Sequence, residues 1–202
     1  MIAVMISIRP EWCQLISSGK KTIELRKTRP NVSSPFKCYI YQTQPKKSLV
    51  GVLYDGDELY GEIYRGKTAF IKTYKGVSAG SRTFGTWGKV IGEFVCDTIL
   101  PISVKYSDTN NRIAQRDFPY TCLTDRQIMD YLGNGGEGYG WHISNLKIYD
   151  KPRELSEFFR HCDFAADCGF CEHAIFYGHD FHDCGLRLTR PPQSWCYVEE
   201  SK

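Results

Sequence analysis

Gly19-Lys20-Lys21-Thr22-Ile23-Glu24-Leu25-Arg26 gathers two cations and a carboxylate into one short stretch. In a strand, side chains alternate, so Glu24 and Arg26 would share one face and Ile23 and Leu25 the other. Lys21 would arrive from the turn before. Arginine offers a planar fork for phosphate, and lysine a point charge. Between them Glu24 would accept hydrogen bonds from a base amine, or act as a general base. Lys21, Glu24 and Arg26 are therefore the candidate ligand-binding residues, with Lys21 and Glu24 as the catalytic pair if the chain is an enzyme. An exposed strand face with a weak ion pair would carry the same residues.

A second constellation lies near the C-terminus. Cys162, Cys168, Cys171 and Cys184 contain one C-x2-C pair and two outlying thiols. Zinc sites often combine such a pair with two distant ligands. Few aliphatic residues separate Cys162 from Cys184, so a structural zinc would explain how this segment folds. His161, His173, His179 and His182 are alternative ligands. The H-x-E and P-C-x-x-C pattern of zinc deaminases is absent, which argues against catalytic zinc. A loop of reduced thiols is the plain alternative.

Tyr39, Tyr41, Tyr54, Tyr60, Tyr64 and Tyr74 interleave with basic residues. Aromatic faces beside cations suit single-stranded bases, but tyrosines in strands more often pack in cores. His142 follows a glycine-rich stretch and is a further candidate ligand contact. That stretch, Gly133 to Gly140, lacks G-K-[ST] and precedes a strand, so it is no phosphate loop. It reads as a flexible hairpin connection.

The elements that must position these groups follow from pattern. Met1–Ile8 is an apolar, β-branched strand. Pro10 suits the first turn of a helix, Trp12, Leu15 and Ile16 share a face, and Gly19 closes it. Thr22–Lys27 and Phe36–Thr43 read as strands. Residues 44–88 show no helical period and suggest hairpins turning at Asp55-Gly56, Arg65-Gly66 and Lys75-Gly76. Lys89–Ile102 reads as one strand, with Gly92 marking a bulge or close approach. Thr124 and Gln127 form a capping box for a helix. Trp141–Tyr149 reads as a strand, a short helix should end at Ser156–Arg160, and a last strand spans Trp195–Val198. Without regular βαβ alternation, these elements predict an α+β fold with a small barrel and two or three short helices.

Composition sets the outer bounds. The chain has 202 residues, 42% hydrophobic and 24% charged, enough to bury a core. The apolar start ends by Arg9, far short of the roughly 20 residues of a membrane span. With no leader pattern, a cytoplasmic protein with reduced thiols is expected. The net charge of +3 hides an asymmetry: residues 1–50 carry nine basic and two acidic residues, a local +7, and the rest sums to −4. A basic first quarter suggests a polyanion partner.

The order of strand, amphipathic helix and G-x-K-x-x-E-x-R, here Gly19, Lys21, Glu24 and Arg26, resembles the ASCH domain family of the PUA-like superfamily. The stretches WHISNLKIYDKP and LTRPPQSWCYVE are similar to ASCH proteins of bacterial and phage genomes. The resemblance implies a PUA-like barrel over residues 1–150, with 44–88 as an insertion, and a Cys-rich extension over 151–202 packing on it. It also implies RNA or modified-nucleotide binding beside the motif. Some members are linked to ribonuclease activity. One branch hydrolyses the amide of N4-acetylcytidine with a lysine matching Lys21 and a threonine nucleophile. Glu24 occupies that threonine's position here. Two alternatives accompany the binding reading: a nucleic-acid-processing hydrolase using the same cleft, and a protein-interaction module of phage origin.

Overall fold

The computed structural model describes residues 2–44, 49–55, 58–64, 67–70, 87–103, 118–133, 136–161 and 186–201; for 49–55, 58–64 and 67–70 it describes backbone alone. Strand β1 (Ile2–Ile8) leads into helix α1 (Pro10–Ser17), which carries Pro10 in its first turn. The helix ends where Gly19 takes φ +73°, a left-handed conformation that glycine adopts without strain. Then come β2 (Ile23–Arg26), β3 (Phe36–Gln42), β4 (Leu49–Asp55), β5 (Glu58–Tyr64), β6 (Lys67–Phe70), β7 (Lys89–Cys96) and β8 (Ile99–Ser103). Helix α2 (Asp125–Leu132) precedes β9 (Glu137–His142), β10 (Ser144–Glu154) and β11 (Trp195–Glu199). The capping box at α2 forms as expected, with Gln127 N–H bonded to Thr124 Oγ1 and Thr124 N–H bonded to Gln127 Oε1.

The strands form three sheets. A five-stranded sheet has the order β10-β7-β3-β1-β11, a second sheet is β2-β9-β8, and β4-β5-β6 form a third. The α+β class is as expected. Among the described residues, no pairing closes a sheet into a barrel. Strands β4 and β5 pair antiparallel, as do β5 and β6; Gly56, Arg65-Gly66 and Lys75-Gly76, where turns were expected, lie outside the described residues.

Four expectations change. Residues 89–102 are two strands, because the chain leaves the five-stranded sheet after Cys96 and joins the second sheet at Ile99. Likewise, 141–149 divides at Ile143 between β9 and β10. The glycine-rich stretch is partly strand: Gly138 and Gly140 lie in β9, where neighbours leave little room for a side chain. A Cβ on Gly138 would sit 2.7 Å from Leu132 and 3.0 Å from the Arg26 carbonyl. Ser156–Arg160 is a 3-10 turn (Leu155–Glu157) followed by bridges at Phe159 and Arg160. Gly92 does mark a close approach, since a Cβ there would collide with Lys147 O.

Both faces of the sheet's central strands are buried. On one, Val4, Ile6, Cys38, Ile40 and Phe94 pack with Cys13 and Ile16 of α1 and with Trp141 and Ile143. On the other, Ala3, Met5, Tyr39, Tyr41 and Val90 pack under Leu155, Phe158 and Leu188. Tyr39 and Tyr41 are thus core residues. A third cluster joins Leu25 and Ile102 of the second sheet to Ile128 and Leu132 of α2. Among the described residues, no helix is long and apolar enough to cross a membrane.

Candidate functional site

Strand β2 keeps its predicted alternation, but all four of its residues are buried. Leu25 faces α2. Glu24 and Arg26 pair in register with Trp141 and Tyr139 of β9. Directly opposed residues point to the same side, so the polar face of β2 shares the interior where Trp141 packs. Lys21, Glu24 and Arg26 are only 2%, 7% and 7% exposed.

The three side chains form one ion cluster. Lys21 Nζ lies 3.2 Å from Glu24 Oε2, and Arg26 Nη2 lies 3.0 Å from Glu24 Oε1. Lys21 also donates to the carbonyls of Ile23 (2.9 Å) and Thr121 (2.7 Å). Its ammonium stands 5.5 Å from the centre of the Trp12 ring, a cation–π distance. Arg26 Nη2 donates to Ser7 O at 2.7 Å, and Nη1 reaches Ser194 Oγ at 3.3 Å and Ser194 O at 3.4 Å. One guanidinium thus ties β2 to the end of β1 and to the residue before β11. Such bonds are what a buried cation needs to offset its lost hydration.

Among the described residues, two donors in this interior meet no acceptor: Arg26 Nε and Trp141 Nε1 are buried. The cluster holds two cations and one carboxylate, so one positive charge is uncompensated within it. Beside it, burial first and the Glu24 charge second push the Cys13 thiol well above its ordinary value. Aromatic rings line the same region. Trp141 meets Phe36 edge-on at 5.8 Å and Trp195 at 6.0 Å.

His142 does not join the cluster. It pairs with Ile23 at the end of the β2–β9 ladder, and its Nδ1 donates to Asp97 Oδ1 at 2.6 Å. Both side chains are 41% exposed. The bond from His142 is the main cause that holds the Asp97 carboxyl below its ordinary range. Nearby, Tyr120 is 54% exposed, and its carbonyl accepts from Thr22 N–H at 3.0 Å. Past β2, Lys27 stands over Tyr131 at 5.3 Å and Arg29 over Tyr139 at 5.8 Å.

Ser7, Asp97, Thr121 and Ser194 were not expected in this region. Three of them act through backbone carbonyls, which no residue type announces. Asp97 carries a side-chain signal, but only folding brings it to a histidine 45 positions away. Cys162, Cys168, Cys171 and Cys184 lie outside the described residues. Among the described residues, no group of three or more His, Cys, Asp or Glu could hold a metal ion.

Comparison with known proteins gives three findings. The chain is 42% identical over 50 residues to a curated Zymomonas mobilis protein named "ASCH domain-containing ribonuclease", a match covering 25% of this chain. It thus spans only 34% of that relative's length. The crystal structure of ASCH from Zymomonas mobilis matches 98% of this chain and 88% of its own, with TM-score 0.52 and 18% identity. A single-residue variant of that protein matches with the same TM-score of 0.52 over 91% of its chain. At 18% identity these two likenesses speak for the fold alone. The ASCH domain family model, by contrast, matches residues 6–108, half of the chain and the whole of the ion cluster's strand, and so this chain belongs to the ASCH domain family.

Proposed function

We propose that this chain binds RNA or a modified nucleotide at the Lys21–Glu24–Arg26 cluster. One observation carries the reading: among the described residues, an interior site with two cations on one carboxylate also holds two N–H donors that meet no acceptor. A phosphate would supply charge, and a nucleobase carbonyl would supply acceptors. The surrounding Trp12, Trp141 and Trp195 offer ring faces for a base. Lys21 and Arg26 serve as the cations, and Glu24 orders them and reads a base amine. The ribonuclease name of the Zymomonas mobilis relative and the basic first quarter of the chain support the same ligand class.

The cluster is closed to solvent, so a polymer meets its rim first. Tyr120, half-exposed and bonded through its carbonyl to Thr22, lies at the start of β2. Only a base or a terminal phosphate that enters between the sheets would reach the buried cations.

The test is the affinity for labelled single-stranded RNA at two salt concentrations, for wild type beside Arg26→Lys and Glu24→Gln. The reading expects binding that weakens with salt, because phosphate contacts release counterions. It expects either variant to lose roughly tenfold or more, as one charged hydrogen bond contributes about 1.5–3 kcal/mol. Salt-insensitive binding, or equal affinity in all three proteins with folds intact by circular dichroism, would overturn it.

A further inference from the structure

The ion cluster has two ends, and they are sealed differently. At the Lys21 end every donor of the ammonium is used. Glu24 Oε2, Ile23 O and Thr121 O lie 3.2, 2.9 and 2.7 Å from it, and the Trp12 ring stands over it. Opening the site there would strand a buried cation. At the Arg26 end the seal is looser. Nη1 reaches Ser194 only at 3.3 and 3.4 Å. The two buried N–H groups that meet no acceptor among the described residues, Arg26 Nε and Trp141 Nε1, lie on this side.

Trp195 covers that end. It follows Ser194 in the chain and pairs with Ile6 at the start of β11. Its ring centre lies 6.0 Å from that of Trp141 and 5.4 Å from that of Tyr197, so it extends the same aromatic wall. Trp141 is 0% exposed, whereas Trp195 is half-buried and so stands between the interior and water. Its indole N–H donates to Thr28 Oγ1 at 3.0 Å, at the surface. Thr28 lies two residues past Arg26, in the exposed stretch Lys27-Thr28-Arg29 that leaves β2. Two further contacts tie this stretch down: Arg29 stands over Tyr139 at 5.8 Å, and Asn31 N–H donates to the Tyr197 hydroxyl at 2.6 Å. Both hydrogen bonds are solvent-exposed, so water can take over either partner when one breaks.

We infer that Trp195 is the gate of the ligand site and Thr28 its latch. The inference rests on the binding reading above and adds how access to that site is controlled. In the closed state the indole is bonded to Thr28 and seals the Arg26 end. When the latch breaks, the ring turns away from Trp141 and uncovers the N–H groups of Trp141 and Arg26. The group that takes its place needs a flat face to lie on Trp141 and acceptors for two donors. An unstacked nucleobase offers both. A base still paired in a duplex is not free to enter, so the gate selects single-stranded or monomeric ligands.

The experiment uses the full isotope-labelled chain and reads solvent exchange by NMR without ligand. Substituting Trp12, Trp87 and Trp195 in turn by Phe assigns the indole signals and leaves that of Trp141. Thr28→Val keeps the side chain's shape at an exposed position and removes the acceptor. It should speed exchange of the Trp141 indole N–H by roughly two- to tenfold, the span of one neutral hydrogen bond. Backbone amides of β3 should exchange as in wild type. Thr28→Ser, which keeps the hydroxyl, should match wild type at both. In stopped flow, labelled single-stranded RNA should associate faster with Thr28→Val by a similar factor. Unchanged Trp141 exchange in Thr28→Val would overturn the gate. So would a rise shared by the β3 amides, because Thr28 would then act through global stability. In both cases RNA binding is read separately, and the binding reading survives. Exchange that responds as expected in a chain that binds no RNA would support the gate and overturn the RNA reading.

Discussion

The Lys21–Glu24–Arg26 cluster is built on and just before β2, the His142–Asp97 pair joins the end of β9 to the β7–β8 connection, and both are built from acid–base contacts. Their separations are similar: 3.2 and 3.0 Å in the cluster, 2.6 Å in the pair. Their surroundings differ. In the cluster, burial strips water from three charged groups, so each needs protein partners, and two backbone carbonyls hold Lys21 as well as Glu24 does. At the pair, water remains available, and such an exposed pair contributes only about 0–1 kcal/mol. The same chemistry therefore serves different ends at the two depths. In the interior it fixes the spacing of two sheets and presents fixed charges. At the surface it joins two half-exposed side chains that keep their contact with water.

The strongest way to break this contrast is Glu24→Ala. It leaves two buried cations with no carboxylate, and a broken buried ion pair costs about 3–5 kcal/mol. Urea denaturation should show that loss, while Asp97→Asn should stay within about 1 kcal/mol of wild type. The Cys13 thiol gives an independent readout. It is fully buried and resists ionisation in the native chain, so thiol labelling followed by peptide mapping should find it protected in wild type and labelled in Glu24→Ala. Equal stabilities for the two variants would mean that the interior cluster is hydrated like the surface pair.

A smaller effect is expected from Gly138→Ala. The new methyl would press on Leu132 and on the carbonyl of Arg26. Overpacking of this kind costs about 1–3 kcal/mol. If β2 and β9 must move apart to admit it, RNA affinity should fall with stability. Full affinity at reduced stability would separate the ligand site from the strand spacing.

The smallest effect concerns pH. The Asp97 carboxyl is held below its ordinary value in the folded chain, chiefly by His142. Its contribution to stability is thus present above about pH 3.9, the unfolded value, and is lost as pH falls through the lower folded value. The difference in melting temperature between wild type and Asp97→Asn should therefore shrink with acidification. The group is exposed, so the whole effect should be slight. A difference that grows towards low pH would contradict the hydrogen-bond assignment.

Much of the local structure was legible because short-range rules decide it. Pro10 and Gly19 bound α1, Thr124 and Gln127 cap α2, and the alternation of β2 was plain from Ile23 to Arg26. The trio Lys21, Glu24 and Arg26 was also legible as a group, since its members lie close in the chain. What the alternation left open was which face would see water. A period of two separates the faces of a strand without saying what covers each one. An apolar face inward and a charged face outward is the ordinary outcome. Here α2 takes the apolar face, and the interior shared with Trp141 takes the charged one.

The sequence by itself determined the α+β character, the helix ends, the charge asymmetry and the three residues of the cluster. Only the tertiary structure decided that these residues would be buried, that residues 89–102 would serve two sheets, and that His142 would meet Asp97. It alone supplied the acceptors at Ser7, Thr121 and Ser194, the last lying 168 positions from Arg26. The physical reason is common to all of these. Propensity and periodicity act over a few residues, whereas burial and long-range hydrogen bonds depend on which surfaces the folded chain brings together. A carbonyl is the same at every residue, so its partner is chosen by topology and never by composition.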